Sequence, residues 1–126
     1  MKRSALLVTF VLLAIGSAFA QKADDILGTY MSHDRDGRFE VYRDGNLFQG
    51  VMVWSEKEPA KQGSIVLRNL RYNADRNEYT GKIFDTRFNK EYNVRVKVEP
   101  DGNLKVSPWW GPVKMNFIWP RTTTTT

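Results

Sequence analysis

The strongest constraint on the fold is the strict alternation of apolar and polar side chains along Glu91–Glu99. Because successive side chains of a β-strand point to opposite faces, a period of two predicts a strand with one buried face. The next residues, Pro100-Asp101-Gly102, are typical of a tight turn, since proline presets one backbone dihedral and glycine accepts a positive one. Leu104 and Val106 then resume the apolar face. The segment predicts an antiparallel hairpin whose first strand buries Tyr92, Val94, Val96 and Val98.

A second hairpin is predicted upstream. Phe39 and Val41 alternate with polar residues, and Asp44-Gly45 is a favoured two-residue turn. The returning strand, Leu47–Trp54, is apolar on both faces. A strand of this kind is either central in a sheet or lines a covered interior.

Four more segments have strand composition and are bounded by turn residues: Gly28–Ser32, Ser64–Tyr72, Glu78–Asp85 and Lys114–Trp119. With the two hairpins they give an all-β domain of eight short strands. We therefore expect an eight-stranded antiparallel up-and-down barrel, in which closure removes exposed strand edges; a two-sheet sandwich is the alternative. The longest break, Ser55–Gly63, is rich in charge and is a surface loop or a short helical turn.

The first 20 residues have the pattern of a cleaved signal peptide. Lys2 and Arg3 precede an apolar run from Ala5 to Ile15, and small residues end the segment at Ala18-Phe19-Ala20. The run is too short for a transmembrane segment. We expect an exported protein, periplasmic or secreted, cleaved after Ala20. The rest is interpreted as one β-barrel domain over residues 21–121 and a disordered threonine tail over 122–126.

Net charge limits the classes of binding partner, and cysteine content indicates how the fold is stabilised. Loss of Lys2 and Arg3 reduces the 19 basic residues to 17, against 14 acidic residues. A net positive charge of this size is typical of an ordinary soluble domain and does not indicate a nucleic-acid-binding protein. The chain has no cysteine, so its stability depends on packing without disulfides. Several bases are spread over the predicted strands; we interpret them as a solvated surface, and an anionic partner is indicated only if four of them share one face. They are Arg68, Arg71, Arg76, Lys82, Arg87, Arg95 and Lys97.

Short motifs in a fixed order connect the chain to a known family. They are Gly28-Thr29-Tyr30, Tyr79-Thr80-Gly81-Lys82-Ile83 with Asp85, Lys90-Glu91-Tyr92, the Asp101–Val106 segment and Trp119-Pro120-Arg121. In this order they resemble the bacterial exported proteins grouped as domain of unknown function 2147, which are placed among the lipocalin-like barrels. The resemblance covers residues 28–121 and implies a lipocalin-like fold and export. It implies no activity, because the family has no established one.

The resemblance also implies how one barrel end is closed. Lipocalin-like barrels often pair an aromatic residue on the first strand with a late basic residue across it. Tyr30, in place of the usual tryptophan, and Arg121 stand at those positions. A guanidinium over an aromatic ring contributes roughly 0.5–2 kcal/mol, more as the pair is desolvated. The residues expected to close the barrel are Gly28, Tyr30, Trp119 and Arg121.

Aromatic residues are the candidates for ligand binding. Trp109 and Trp110 are adjacent, so on a strand they face opposite sides, and one ring lies at a rim or in a loop. Such a ring either stacks on a sugar, a ring or a lipid chain, or covers a barrel end. Trp54 and Tyr92 are expected to face the interior, where large side chains either fill the space or leave one small apolar pocket. The others expected there are Phe48, Met52, Phe117 and Trp119.

The sequence gives little support to catalysis or to a bound metal. Asp34-Arg35-Asp36-Gly37 resembles the start of a calcium loop, but its twelfth position is Gly45 rather than an acid, so we interpret it as a turn. The one histidine, His33, has no serine or cysteine partner implied by any motif. We predict a non-enzymatic protein with no metal and no cofactor.

The sequence favours an exported protein that binds a small apolar or amphipathic ligand at one barrel end. The candidate ligand-binding residues are Trp54, Tyr92, Trp109 and Trp110. The alternative is a cell-envelope module that contacts another protein or a glycan and holds no internal ligand. Both hypotheses leave the oligomeric state open.

Overall fold

A computed structural model describes residues 22–122, so the predicted signal peptide and residues 123–126 of the predicted tail lie outside the described residues. Ten strands form one antiparallel sheet. They are β1 (Gly28–Met31), β2 (Gly37–Asp44), β3 (Leu47–Ser55), β4 (Ile65–Asn73), β5 (Glu78–Asp85), β6 (Lys90–Val98), β7 (Leu104–Trp110), β8 (Val113–Lys114), β9 (Phe117–Trp119) and β10 (Arg121–Thr122). Two short 3-10 turns, Asp24–Ile26 and Pro59–Lys61, precede β1 and β4, the second within the predicted loop or helical turn.

The antiparallel all-β prediction is confirmed, whereas the predicted number of strands is wrong, because residues 22–122 form ten strands rather than eight. Pairing runs in chain order from β1 to β8, β10 pairs with β1, and β9 pairs with β7, in a sheet not closed into a barrel. The predicted strand Lys114–Trp119 is divided, because the chain turns back at Gly111 to form β8 and then pairs again further along β7. Pro120 separates β9 from β10, since it has no N–H to donate. Thr122, assigned to the tail, pairs with Thr29.

The predicted hairpin of β6 and β7 is confirmed. Val94 and Val96 are fully buried, Tyr92 and Val98 on the same face are half-buried, and the alternating Arg95 and Lys97 are exposed. At the turn, the N–H of Gly102 donates to the carbonyl of Glu99 at 2.8 Å. Gly102 has a φ of 92°, a conformation that glycine adopts without the steric cost other residues bear.

A β-bulge in β3 decides which side chains face the core. Phe39 pairs with Met52, but the preceding Arg38 pairs with Trp54, so Val53 is an extra residue. Two residues on β3 then oppose one on β2, which reverses the alternation of faces beyond Met52. Met52 and Ser55 are therefore buried, whereas Trp54 lies beside Arg38, whose guanidinium carbon is 5.7 Å from the indole centroid.

Fully buried side chains pack together at the end where the chain enters β1. The ring of Phe48 meets that of Tyr79 edge-on, with 5.6 Å between centroids. Ile26, fully buried, brings the amino-terminal segment over this end of the sheet. The Tyr30 hydroxyl donates to the Ile26 carbonyl at 2.7 Å, and the Tyr79 hydroxyl donates to the Ala23 carbonyl. Burial raises the pKa of Tyr30 to about 12, so its hydroxyl stays protonated as a donor.

Candidate ligand-binding cavity

A cavity of about 450 Å³ opens at the end of the sheet opposite the amino-terminal segment. Four connections contribute lining residues there, those joining β1 to β2, β3 to β4, β5 to β6 and β8 to β9. Antiparallel strands in chain order place alternate connections at the same end, which explains why distant loops converge. A volume of several hundred cubic ångströms is typical of sites for small molecules.

The floor of the cavity is aromatic. The rings of Phe39 and Trp119 stack with 4.4 Å between centroids and an interplanar angle of 13°. Val66 and Val106, both buried, form part of the wall above them. The interior is thus divided into a packed part around Phe48 and an open part above the stacked rings.

Apolar side chains also form the lip of the cavity. Trp110 lies against Tyr92, with 5.0 Å between ring centroids, and is 43% exposed. Phe88 and Met115 line the same opening and are also exposed. An apolar surface therefore continues from the outside of the molecule into the cavity.

Charged groups around the opening form pairs. Ser32 donates to one carboxylate oxygen of Asp36 at 2.8 Å, and the Lys57 ammonium is 3.3 Å from the other. The hydrogen bond from Ser32, helped by Lys57, lowers the pKa of Asp36. Arg87 bonds the Asp85 carboxylate at 3.4 Å, and this contact raises the pKa of Arg87. Both shifts favour the charged form, that of the Asp36 carboxylate and that of the Arg87 guanidinium.

The structure brings only two of the four predicted ligand-binding residues to the cavity. Tyr92 and Trp110 line it. Trp109 faces the other side of β7, as its adjacency to Trp110 predicted, with the Arg95 guanidinium carbon 5.3 Å from its ring. Trp54 is also outside, because the bulge at Val53 turns it away.

Sequence reasoning missed the polar residues of the opening. Ser32, Glu58 and Thr86 come from three different connections, and Thr86 donates to Glu58 at 3.5 Å. None of them belongs to a local motif. The signal that could have found them is the strand order, since an up-and-down sheet places these three connections at one end.

The opposite end is held by Arg121. Its guanidinium carbon lies 4.8 Å from the Tyr30 ring centroid, and its nitrogens donate to three backbone carbonyls at 2.7–2.9 Å, those of Asp25, Leu27 and Gly102. A Cβ on Gly28 would lie 2.5 Å from one of these nitrogens, so a larger residue there would displace the guanidinium from its contacts. Trp119 is not at this contact but at the cavity floor.

Among residues 22–122, no cluster of three or more histidine, cysteine or acidic side chains is arranged to hold a metal ion. Within the same range, no helix has both the length and the hydropathy to span a bilayer.

The fold is lipocalin-like. The solved structure of protein HP1028 from Helicobacter pylori, described as belonging to the lipocalin family, matches with a TM-score of 0.64 at 19% identity. The match covers 78% of this chain and 83% of that chain, and at this identity it establishes the fold. The chain belongs to the family of uncharacterized proteins conserved in bacteria, DUF2147, whose family model matches residues 28–121. No curated protein matches it.

Proposed function

We propose that this protein is a non-enzymatic carrier that binds a small apolar or amphipathic molecule in the cavity. The observation that carries the proposal is the 450 Å³ space above the Phe39–Trp119 stack, open at one end. The titratable groups at the opening support binding over catalysis. The shifts at Asp36 and Arg87 stabilise their charged forms, whereas a general acid or base needs a pKa near the working pH.

The same proposal includes closure of the sheet around the ligand. Residues 117–122 lie between β7 and β1: β9 pairs with one and β10 with the other. Between these pairings, the N–H of Met31 donates to the Pro120 carbonyl at 2.8 Å. Residues 117–122 thus act as one strand, interrupted at Pro120, that closes the gap between β7 and β1. A bound molecule would then leave through the open end of the cavity.

Export belongs to the proposal as well. The leader pattern of residues 1–20 supports delivery to the periplasm or the medium, and the family resemblance agrees with it. A carrier in that location would meet amphipathic molecules in the aqueous space outside the inner membrane.

The charges at the opening favour a ligand with a neutral or cationic head. Of the bases that line the cavity, Lys57 is paired with Asp36 and Arg87 with Asp85. Two further carboxylates, Asp34 and Glu58, line the opening; within residues 22–122 neither forms an ion pair, although the charge of Glu58 acts on Arg87. An anionic head would therefore meet excess negative charge, and opposite charges attract while like charges repel at these distances.

The test is binding of N-phenyl-1-naphthylamine, an apolar fluorophore, to the mature protein and to two matched variants. Ile83→Trp places a larger side chain in the cavity wall and is expected to weaken binding about tenfold, because bulk added to a packed wall displaces its neighbours or the guest. Ile118→Trp makes the same change on the exposed face of β9 and should leave affinity within about twofold. Dodecyltrimethylammonium and dodecyl maltoside should displace the fluorophore better than laurate.

Equal affinity in all three proteins, with unchanged melting temperatures, would show that the fluorophore binds elsewhere. Absence of binding to the unmodified protein would contradict the proposed function directly.

A further inference from the structure

The pairing register gathers basic side chains on the outer face of β4 to β8. Across the strands, Arg71 pairs with Thr80, and Thr80 with Arg95. The next row contains Lys82, Asn93, Trp109 and Lys114, and a third row contains Lys97 and Lys105. We call this surface the basic wall, defined by Arg71, Lys82, Arg95, Lys97, Lys105 and Lys114.

Acidic side chains compensate little of this charge. Glu78, whose side chain is 5% exposed, is the one acid within residues 22–122 that forms an ion pair with the basic wall, with 3.3 Å between its carboxylate and Nε of Arg95. Glu91, on the same face, is paired with Arg68 at 3.2 Å. Within residues 22–122, no ion pair joins the other five bases of the wall to an acid. The wall therefore concentrates positive charge in a chain whose overall excess is small.

This arrangement costs stability in the unbound protein. Lys97 and Lys105 are direct cross-strand partners, and so are Arg68 and Lys82. Like charges directly opposite each other on neighbouring strands are destabilising. A carboxylate placed between two such bases would relieve the repulsion, because it attracts both.

Polar and aromatic groups lie among the bases. Lys82 donates to the Asn93 side-chain oxygen, Ser107 donates to Asn116 at 2.7 Å, and the half-buried Trp109 ring lies under Arg95. Amides, hydroxyls and an aromatic ring next to cations match the hydroxyls, ring faces and carboxylates of an acidic sugar chain. We propose that the basic wall binds an acidic polysaccharide.

A polysaccharide suits this surface better than a lipid bilayer does. Among the direct cross-strand partners of the wall residues, Ile118 is the one large apolar side chain that is exposed, so little could insert between acyl chains. The wall also faces away from the cavity, whose lining comes from the opposite face of the same strands. Binding at the wall is therefore independent of a ligand in the cavity.

The experiment measures binding of polygalacturonate, a linear carboxylated polysaccharide, to the mature protein, with neutral dextran as the reference polymer. We expect binding to polygalacturonate alone, weakened about tenfold when salt rises from about 50 to about 200 mM, because salt screens exposed charges. Lys97→Gln with Lys105→Gln should reduce affinity about tenfold through loss of two charge contacts. Its melting temperature should stay the same or rise, since a like-charge pair is removed.

The matched control is Arg35→Gln with Lys57→Gln, which removes the same charge from the connections at the cavity opening. It should keep affinity within about twofold. Equal losses in both double variants would mean that net charge alone attracts the polymer, and the proposal would be wrong. It would also be overturned if polygalacturonate failed to bind, or if phosphatidylglycerol vesicles bound through Lys97 and Lys105 while the polysaccharide did not.

Discussion

Arg121 donates to three backbone carbonyls while its guanidinium lies over the ring of Tyr30. Those carbonyls belong to the amino-terminal segment and to the turn between β6 and β7, so one side chain joins three separate parts of the chain. The pairing of Tyr30 with Arg121 was implied by family resemblance. The three carbonyl contacts were not, because nothing in the sequence marks backbone acceptors at residues 25, 27 and 102.

We expect Arg121→Gln to lower the free energy of unfolding by about 2–3 kcal/mol, because hydrogen bonds from a charged donor and a cation–π contact are lost together. Urea denaturation of the two proteins measures the difference. Arg76→Gln, at a mostly exposed side chain, is the control and should change stability by less than about 0.5 kcal/mol. A loss of that small size at Arg121 would mean that its contacts do not hold this end of the molecule.

The bounds of most strands follow the alternation of side chains closely, whereas the face that a side chain occupies changes at bulges. Glu78–Asp85 has the same limits in the prediction and in the structure. Trp54, in contrast, was placed inside because alternation from Met52 predicts it, and an extra residue at Val53 reverses the face. A bulge depends on the register of the neighbouring strand, so a single segment read alone does not show it.

A second bulge, in β4, leaves no space for a side chain at one position of β5. The register shifts between Arg68 and Arg71, and a Cβ on Gly81 would lie 2.6 Å from the Arg68 carbonyl oxygen. We expect Gly81→Ala to cost about 2–3 kcal/mol, because backbone atoms must move to admit the methyl group. Gly45→Ala, where no atom lies within 4 Å but φ is +62°, should cost only about 1 kcal/mol of backbone strain.

Urea midpoints of these two variants separate the close-approach explanation from a general intolerance of alanine at glycine positions. Equal destabilisation of both would contradict the argument that the bulge needs the space at Gly81.

At the scale of the whole molecule, the strand order gives the sheet two faces with different properties. The inner face holds a packed core at one end and a cavity at the other, and the outer face carries the basic wall. Composition and periodicity predict the all-β class. They do not predict the cavity, because its opening is built from loops far apart in sequence and its depth is set by how the Phe39 and Trp119 rings stack.

The methionines provide the most direct test that the cavity holds a guest. Met52 and Met115 line the cavity, whereas Met31 lies outside its lining. In a spectrum of protein labelled with ¹³C at the methionine methyls, added N-phenyl-1-naphthylamine should shift the signals of Met52 and Met115 and leave that of Met31 in place. Aromatic rings shift methyl signals only at short range, so this pattern would locate the molecule in the cavity. Saturable binding that leaves Met52 and Met115 unmoved would contradict the account.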